Sequence, residues 1–449
     1  MRGSSEERLK DTISSLRAAG KYARAREVAL EAVRDLERAG RAGPEEHAAA
    51  LLELGRLQDD LGDYDAARRT FDQATAVAKD LANGAGLAAL ALALRAGIDR
   101  SLTRLDDAER AMVRAISLAE EALASEDPAQ LEILAEAAML RVARGDLEGA
   151  ELVVARALDT AERMPGGFER DRVLALILNA AGTLERTRGR YDLAEATLRR
   201  ALALSEAAFG SDSLEVADAL NNLGVTFKFS GRFDDAKALY HRALRILTAA
   251  FGELHPDVAG LYHNLGGLAH ARGDYEAAEL DARRSVEIRE ATLGPRDPVT
   301  ALDRAALASI LDRLGKSEEA EALLRAAVAT LTQTLGIENH EVAAQLNNVA
   351  AIVQRRGQLD EAERLYRQAL AIKERVLGQQ SPELAITLNN LGTVLRARGA
   401  HDEAEWLYRR AVAILAASVE STHPSLATAR ANLARLERRR TRQEAASDS

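Results

Sequence analysis

The side chains best suited to catalysis in this sequence fail on spacing. Leu314-Gly315-Lys316-Ser317 repeats the close of a phosphate-binding loop, whose backbone N–H groups and Lys cradle phosphate oxygens, but the Gly required five residues earlier is Ile310. His263 and His270 fall on one helix seven residues apart, with no carboxylate or third His at ligand spacing beside them, so no metal is expected. The GSDS run at Gly210 to Ser213 lies in a loop between helices, not on the sharp strand-to-helix turn that exposes a nucleophilic Ser. The 70 Asp and Glu residues follow exposed helical faces and nominate no acid–base pair. With no Cys, disulfides, thiolate catalysis and Cys-ligated zinc are excluded. The basic run from Arg438 to Arg442 is too short for a nucleic-acid surface, and a net charge of −10 gives no general attraction to nucleic acid or anionic lipid. No catalytic residue, metal or cofactor is expected.

Amides and cations remain as candidate binding chemistry. Of the eleven Asn residues, nine recur in two adjacent positions at intervals near 42 residues: Asn179, Asn221, Asn347 and Asn389 in one, Asn222, Asn264, Asn348, Asn390 and Asn432 in the other. An Asn inside a helix is roughly 0.6 kcal/mol worse than Ala, because its amide competes with the backbone. Nine such residues therefore require a compensating use. One is structural, an amide bonded to the adjacent helix in every unit. The other is a ladder of donors and acceptors for the backbone of an extended peptide.

A second set lies one to two turns further on: Arg186, Lys228, His270, Arg313, Arg355 and Arg396. Arrayed along a groove, these attract carboxylates. Cations near a helix C-terminus also complement the macrodipole, and they cover apolar surface. Phe229 sits among them, as an exposed anchor or as a core aromatic. Trp406 is either an outer-face contact or, as its neighbours favour, partly buried against the last helix.

The elements that position these residues are repeats. A small-residue column runs through Ile13, Gly55, Ala96, Ala138, Gly182, Gly224, Gly266, Ala308, Ala350, Gly392 and Ala434, spaced 42, 41, 42, 44 and then 42 six times. Seven residues later comes Gly in nine units of ten, with Thr103 as the exception, and five beyond that every unit has Ala. A further seven on, Ala recurs in all but one unit, where Ser285 stands. The Gly marks a helix end that adopts a left-handed residue, hence the turn of a helical hairpin. The Ala columns let helix axes approach closely. Leu223, Phe227, Leu239, Leu244 and Ile246 follow helical spacing and are expected to fill the space around them.

Unit boundaries are punctuated as well. Pro128, Pro256, Pro298, Pro382 and Pro424 stand where first helices open, with Asp127, Asp297 and Ser381 as N-caps. Gly210, Gly252, Gly294, Gly336 and Gly378 end the second helices. Hydrophobic residues are 47% of the chain but aromatics only 4%, so Ala and Leu build the core, as suits helices and not a β-sandwich. The apolar stretch from Gly86 to Leu94 is far too short for a bilayer span, and the N-terminus has no apolar core for a signal peptide, so a cytoplasmic protein is expected.

The small–Gly–Ala–Ala spacing resembles the tetratricopeptide repeat. Its 42-residue form, with NNLG in the first helix, Y/L-x-x-A-L-x-I in the second and LG…HP after it, is similar to the repeats of kinesin light chains and related bacterial proteins. The likeness covers roughly residues 5 to 437. It implies an all-α, right-handed superhelical solenoid of about ten hairpins plus a C-terminal capping helix, with first helices lining a concave groove and residues just before the Leu-Gly meeting a bound peptide. On that basis Asn222, Asn264, Asn348, Asn390 and Asn432, with Lys228, His270, Arg313, Arg355 and Arg396, are the candidate peptide-binding residues. Residues 1–166 read as divergent hairpins, 167–438 as the regular array with its capping helix, and 439–449 as a disordered tail. The expected function is a non-catalytic scaffold or adaptor for a protein or peptide partner, with an acidic one favoured by the basic set. Alternatives are a self-associating scaffold and a peptide-sensing regulator. No nucleic-acid or membrane partner is expected.

Overall fold

A computed structural model describes residues 5–39, 43–418 and 424–447, and every regular element among them is an α-helix. The hairpins are α1 (Ser5–Ala18) with α2 (Tyr22–Ala39), α3 (Pro44–Asp60) with α4 (Tyr64–Lys79), α5 (Ala85–Ser101) with α6 (Leu105–Ala122), and α7 (Pro128–Ala143) with α8 (Leu147–Arg163). Then come α9 (Phe168–Thr187) with α10 (Tyr191–Phe209), α11 (Leu214–Phe229) with α12 (Phe233–Phe251), and α13 (Pro256–Arg272) with α14 (Tyr275–Thr292). The last are α15 (Pro298–Arg313) with α16 (Ser317–Leu335), α17 (His340–Arg355) with α18 (Leu359–Leu377), and α19 (Glu383–Ala397) with α20 (His401–Ser418). A single helix, α21 (Pro424–Ser447), follows.

The periodic residues do what their spacing predicts. At the hairpin turns nine glycines take φ between 68° and 85°, and Thr103 adopts the same left-handed conformation at 60°. A β-branched residue pays a steric penalty there that Gly avoids. All ten Ala of the first Ala column, from Ala25 to Ala404, have zero exposure. The small column has an equally direct cause. A Cβ on Gly224 would lie 2.6 Å from the Tyr240 ring, and one on Gly182 would lie 2.4 Å from Leu198, so the second helix rests against the bare backbone of the first. Leu223, Phe227 and Ile246 are buried, and Leu239 and Leu244 pack against them half-buried.

Caps fix the helix starts. The carboxylates of Asp127 and Asp297 accept from the Ala129 and Val299 amides at 2.8 Å, and Asn339 caps α17 in the same way. Ser381 receives the Glu383 amide at 3.4 Å, so α19 opens one residue after its Pro. The last helix runs nine residues past Arg438. The segment TRQEAA contains good helix formers and no breaker, so nothing local ends the helix.

Contacts divide the chain into two units: Met1–Asp274 with Glu287–Thr292, and Tyr275–Val286 with Leu293–Ser449. The first unit closes on itself. His255 caps α13 through Nδ1, while its Nε2 lies 3.0 Å from the Asp60 carbonyl oxygen at the end of α3. Its ring stacks on Phe251 at 4.1 Å, and Phe251 meets Tyr22 at 5.0 Å. Tyr64 donates to Asp257 at 3.5 Å, and a side chain on Gly62 would collide with Pro256. Residues almost 200 positions apart thus form one seam, which the repeat pattern does not announce.

Candidate functional site

The Asn columns are wired between successive first helices. Asn264 Nδ2 donates to Asn221 Oδ1 at 2.7 Å, Asn432 to Asn389 at 2.9 Å, and Asn222 to Asn179 at 3.5 Å. Each rung joins the second-column Asn of one repeat to the first-column Asn of the repeat before it. Asn348 departs from this pattern and donates to Gln345 within α17 at 2.9 Å, while the Asn347 carbonyl oxygen is buried without a partner. Asn390 makes no side-chain hydrogen bond among the described residues. Asn222, Asn264, Asn348, Asn390 and Asn432 are all half-buried. An amide offers two donors and two acceptor lone pairs, so a donor in one rung keeps one N–H and its carbonyl uncommitted.

The basic set does not form one row. Lys228, His270 and Arg396 occupy the same repeat position and are half-buried, whereas Arg313 and Arg355 sit one residue further on and are exposed. Arg313 donates to the Tyr275 hydroxyl at 3.0 and 2.8 Å, and Arg355 is paired with Asp312. Arg396 has no ion partner among the described residues. Lys228 and Arg186 lie over the same ring, 5.7 and 5.8 Å from the Phe229 centroid. Phe229 is 55% exposed and stacks on Tyr191 at 6.5 Å, so it is not a core aromatic. Trp406 is 58% exposed, with Arg410 lying 5.6 Å from its ring, and is not the partly buried residue expected against the last helix. Its position on α20 faces away from the packed Ala columns.

The first unit also holds charges that sequence spacing did not single out. Glu132 on α7 accepts from Arg56 on α3 at 2.7 Å and from Arg172 on α9 at 3.1 Å. Burial opposes its charge, but the two guanidiniums overcome that and hold the carboxyl at about 2. Asp60 shows the opposite balance: burial outweighs its 2.8 Å pair with Arg17 and pushes it up to about 6. Asp218 is exposed on α11 and lies among other carboxylates of this unit. Removal from bulk water, then Asp257, Glu215 and Asp60, push it up to about 8. The seam side of this unit therefore gathers carboxylates, of which Asp60 is paired with Arg17. Among the described residues no group of three or more His, Asp or Glu is placed to hold a metal, and no helix is long and apolar enough to cross a membrane.

A tetratricopeptide-repeat model matches residues 173–249, 229–291, 257–333 and 341–417, and a second tetratricopeptide-repeat model matches residues 11–80. More than half of the chain is covered, and the protein belongs to the tetratricopeptide-repeat family. It is similar to BtubC (BKLC) from P. vanneervenii, 26% identical over 58% of this chain and 95% of that one, with a TM-score of 0.42. A putative kinesin light chain from Podosopora anserina, with nearly identical TPR-like repeats, is 26% identical over 45% of this chain and 96% of its own, at a TM-score of 0.39. A Rap protein complexed with competence and sporulation factor shares the fold at a TM-score of 0.51 and 13% identity, over 79% of this chain and 99% of that one. Among curated proteins, none matches the chain.

Proposed function

We propose that this tetratricopeptide-repeat chain is a non-catalytic adaptor that holds an extended protein or peptide segment along its first helices. Stacks of this kind serve as binding surfaces because each repeat contacts only its neighbours and leaves one helix of every pair free on one side. A protein of the same fold, the Rap protein, is complexed with competence and sporulation factor. The observation that carries the reading is the half-used amide. Asn222, Asn264 and Asn432 each donate one N–H to a neighbouring Asn, which fixes the side chain, and each keeps a second N–H and a carbonyl oxygen. Side chains already held in place lose little entropy when they pair with a peptide backbone. Lys228 and Arg396 add unpaired cations for carboxylates of the partner. The acidic seam around Asp60 and Asp218 favours a partner of mixed charge over a wholly acidic one.

The test is affinity capture with the intact chain, repeated with Asn222, Asn264, Asn348 and Asn390 all changed to Ala. A captured partner lost from the variant, at unchanged thermal stability, supports the reading. Undiminished capture rejects it. A second reading, self-association through the outer face, is favoured by the 58% exposure of Trp406. Sedimentation showing a monomer at every concentration would remove it.

A further inference from the structure

Tyrosine recurs nine residues after the turn Gly in three hairpins, as Tyr240, Tyr366 and Tyr408, all buried, and the rings of Tyr240 and Tyr408 rest on Gly224 and Gly392 of their own first helices. In two of them the buried hydroxyl is satisfied internally. Tyr366 donates to Gln354 at 3.1 Å, and Tyr408 shares a 3.1 Å bond with Thr393. In the Tyr240 hairpin both partners are missing: Val225 stands at the position of Thr393, and Lys228 at that of Gln354. The Tyr240 side chain has zero exposure, and its hydroxyl is buried with no hydrogen-bond partner.

Two further polar groups at the same place are also unsatisfied. Arg186, in the last turn of α9, has its Nε buried without a partner, and neither it nor Lys228 meets a carboxylate among the described residues. Both cations lie within 6 Å of the Phe229 centroid, at 5.8 and 5.7 Å. Burial lowers the proton affinity of each, and for Lys228 the charge of Arg186 lowers it further. Elsewhere along the basic set Arg355 is answered by Asp312 and Arg313 by the Tyr275 hydroxyl, while Arg396, also without an ion partner among the described residues, is not placed over a ring beside a second cation. Helix-end electrostatics explains one cation at the C-terminus of α9 and one at that of α11, but it does not explain why both lack a carboxylate beside an orphaned hydroxyl. The Lys228 ammonium lies close against Gly267 of α13, where a Cβ would come within 2.9 Å of Nζ, so α13 bounds the site on that side.

We propose that Arg186, Lys228 and the Tyr240 hydroxyl form an oxyanion-binding site, with the exposed Phe229 face beside it receiving a flat or apolar group attached to the anion. The shared chemistry is that of a carboxylate or a phosphate. Two charge-assisted donors and a neutral O–H suit its several acceptor oxygens, and its negative charge relieves the repulsion between the cations. The inference deepens the adaptor reading and rests on it for the anion's carrier, but its test needs no partner.

Lys228 reports on its own site. The full chain is treated with a trace of an acetylating ester, and modification of Lys228 relative to Lys237 is read by peptide mass spectrometry in sodium phosphate, sodium benzoate or sodium chloride of equal ionic strength. A bound anion keeps the amine protonated and covered, so at ten times the dissociation constant Lys228 should be acetylated about tenfold more slowly, with Lys237 unchanged. Protection by benzoate alone assigns a carboxylate with its apolar flank, and protection by phosphate alone a phosphate group; either supports the site. Arg186→Met and Tyr240→Phe, checked for native circular dichroism, should abolish or weaken the protection. No protection by either anion beyond chloride, or full protection retained in Arg186→Met, overturns the proposal. Partner capture by the intact chain is scored separately, so loss of this site and loss of the adaptor function are distinguishable.

Discussion

Replacing Glu132 by Gln should destabilise the first unit by about 3 kcal/mol at neutral pH, and the loss should vanish in acid. Glu132 bridges Arg56 and Arg172, at 2.7 and 3.1 Å, from three different hairpins. The carboxyl falls from its ordinary 4.5 to about 2 on folding. A tenfold change in proton affinity is worth about 1.4 kcal/mol, so the folded state gains about 3 kcal/mol from the ionised form. Because the folded value is depressed, that stability is complete above pH 4.5 and disappears as the pH falls toward 2. Gln preserves shape but takes the carboxylate from half-buried Arg56 and leaves Arg172 with Glu169 alone, at 3.0 Å, and removal of one partner from a desolvated pair is the damaging case. The assay is urea denaturation by circular dichroism of both proteins between pH 7 and pH 2.5, with amide exchange of α3, α7 and α9 as a local readout. The two stabilities should converge as the pH falls. A gap below about 1 kcal/mol at pH 7, or one that stays constant into acid, would refute the assignment of stability to this bridge.

Other perturbations probe the seam and the turns. Asp218 is held up at about 8, so its protonated form favours the fold, and that contribution is lost as the pH rises from about 4 through 8. Asp218→Asn should therefore match the wild type at pH 4 and exceed its melting temperature increasingly up to pH 9. Thr103→Gly should raise stability by about 1 kcal/mol in chemical denaturation, because it relieves a left-handed β-branched residue whose hydroxyl is also buried unpartnered. Phe251→Ala removes the ring contacts to Tyr22 and His255 together, so α1 to α4 should exchange their amides faster while α7 to α10 keep their protection.

What the sequence discloses is what recurs. The hairpin turns, the Ala contacts and the caps are contacts at short and constant separation, and each therefore prints itself as a column. The seam is different, since Asp60 and His255 meet only because many small rotations between repeats add up, and no pair of columns encodes their sum. The Glu132 bridge escaped notice for a related reason. It skips a hairpin, from α3 to α7, so its members share no repeat spacing with their partners. Tyr240 was within reach: its hydroxyl partner in sister repeats comes from fixed positions, and reading Val225 and Lys228 at those positions would have shown it stranded.

The same accounting of partners separates structural from ligand-facing residues within a column. An Asn rung serves the stack first. Its donor is immobilised by the neighbouring Asn, which answers why six of the nine amides sit in helices that Ala would suit better, and on the adaptor reading proposed above its remaining N–H and carbonyl are what a passing backbone would use. Asn347 marks the limit of that argument, since its carbonyl oxygen is buried without a partner and joins no rung. The basic set divides by the same criterion. Arg355 is consumed by Asp312, whereas Arg186 and Lys228 stand together without a carboxylate. Conserving a residue type along a solenoid therefore does not conserve its role. A partner held along the first helices would draw its specificity from the few repeats where polar capacity is left over, and in the first unit those are the hairpins that carry Asn222, Asn264 and Lys228.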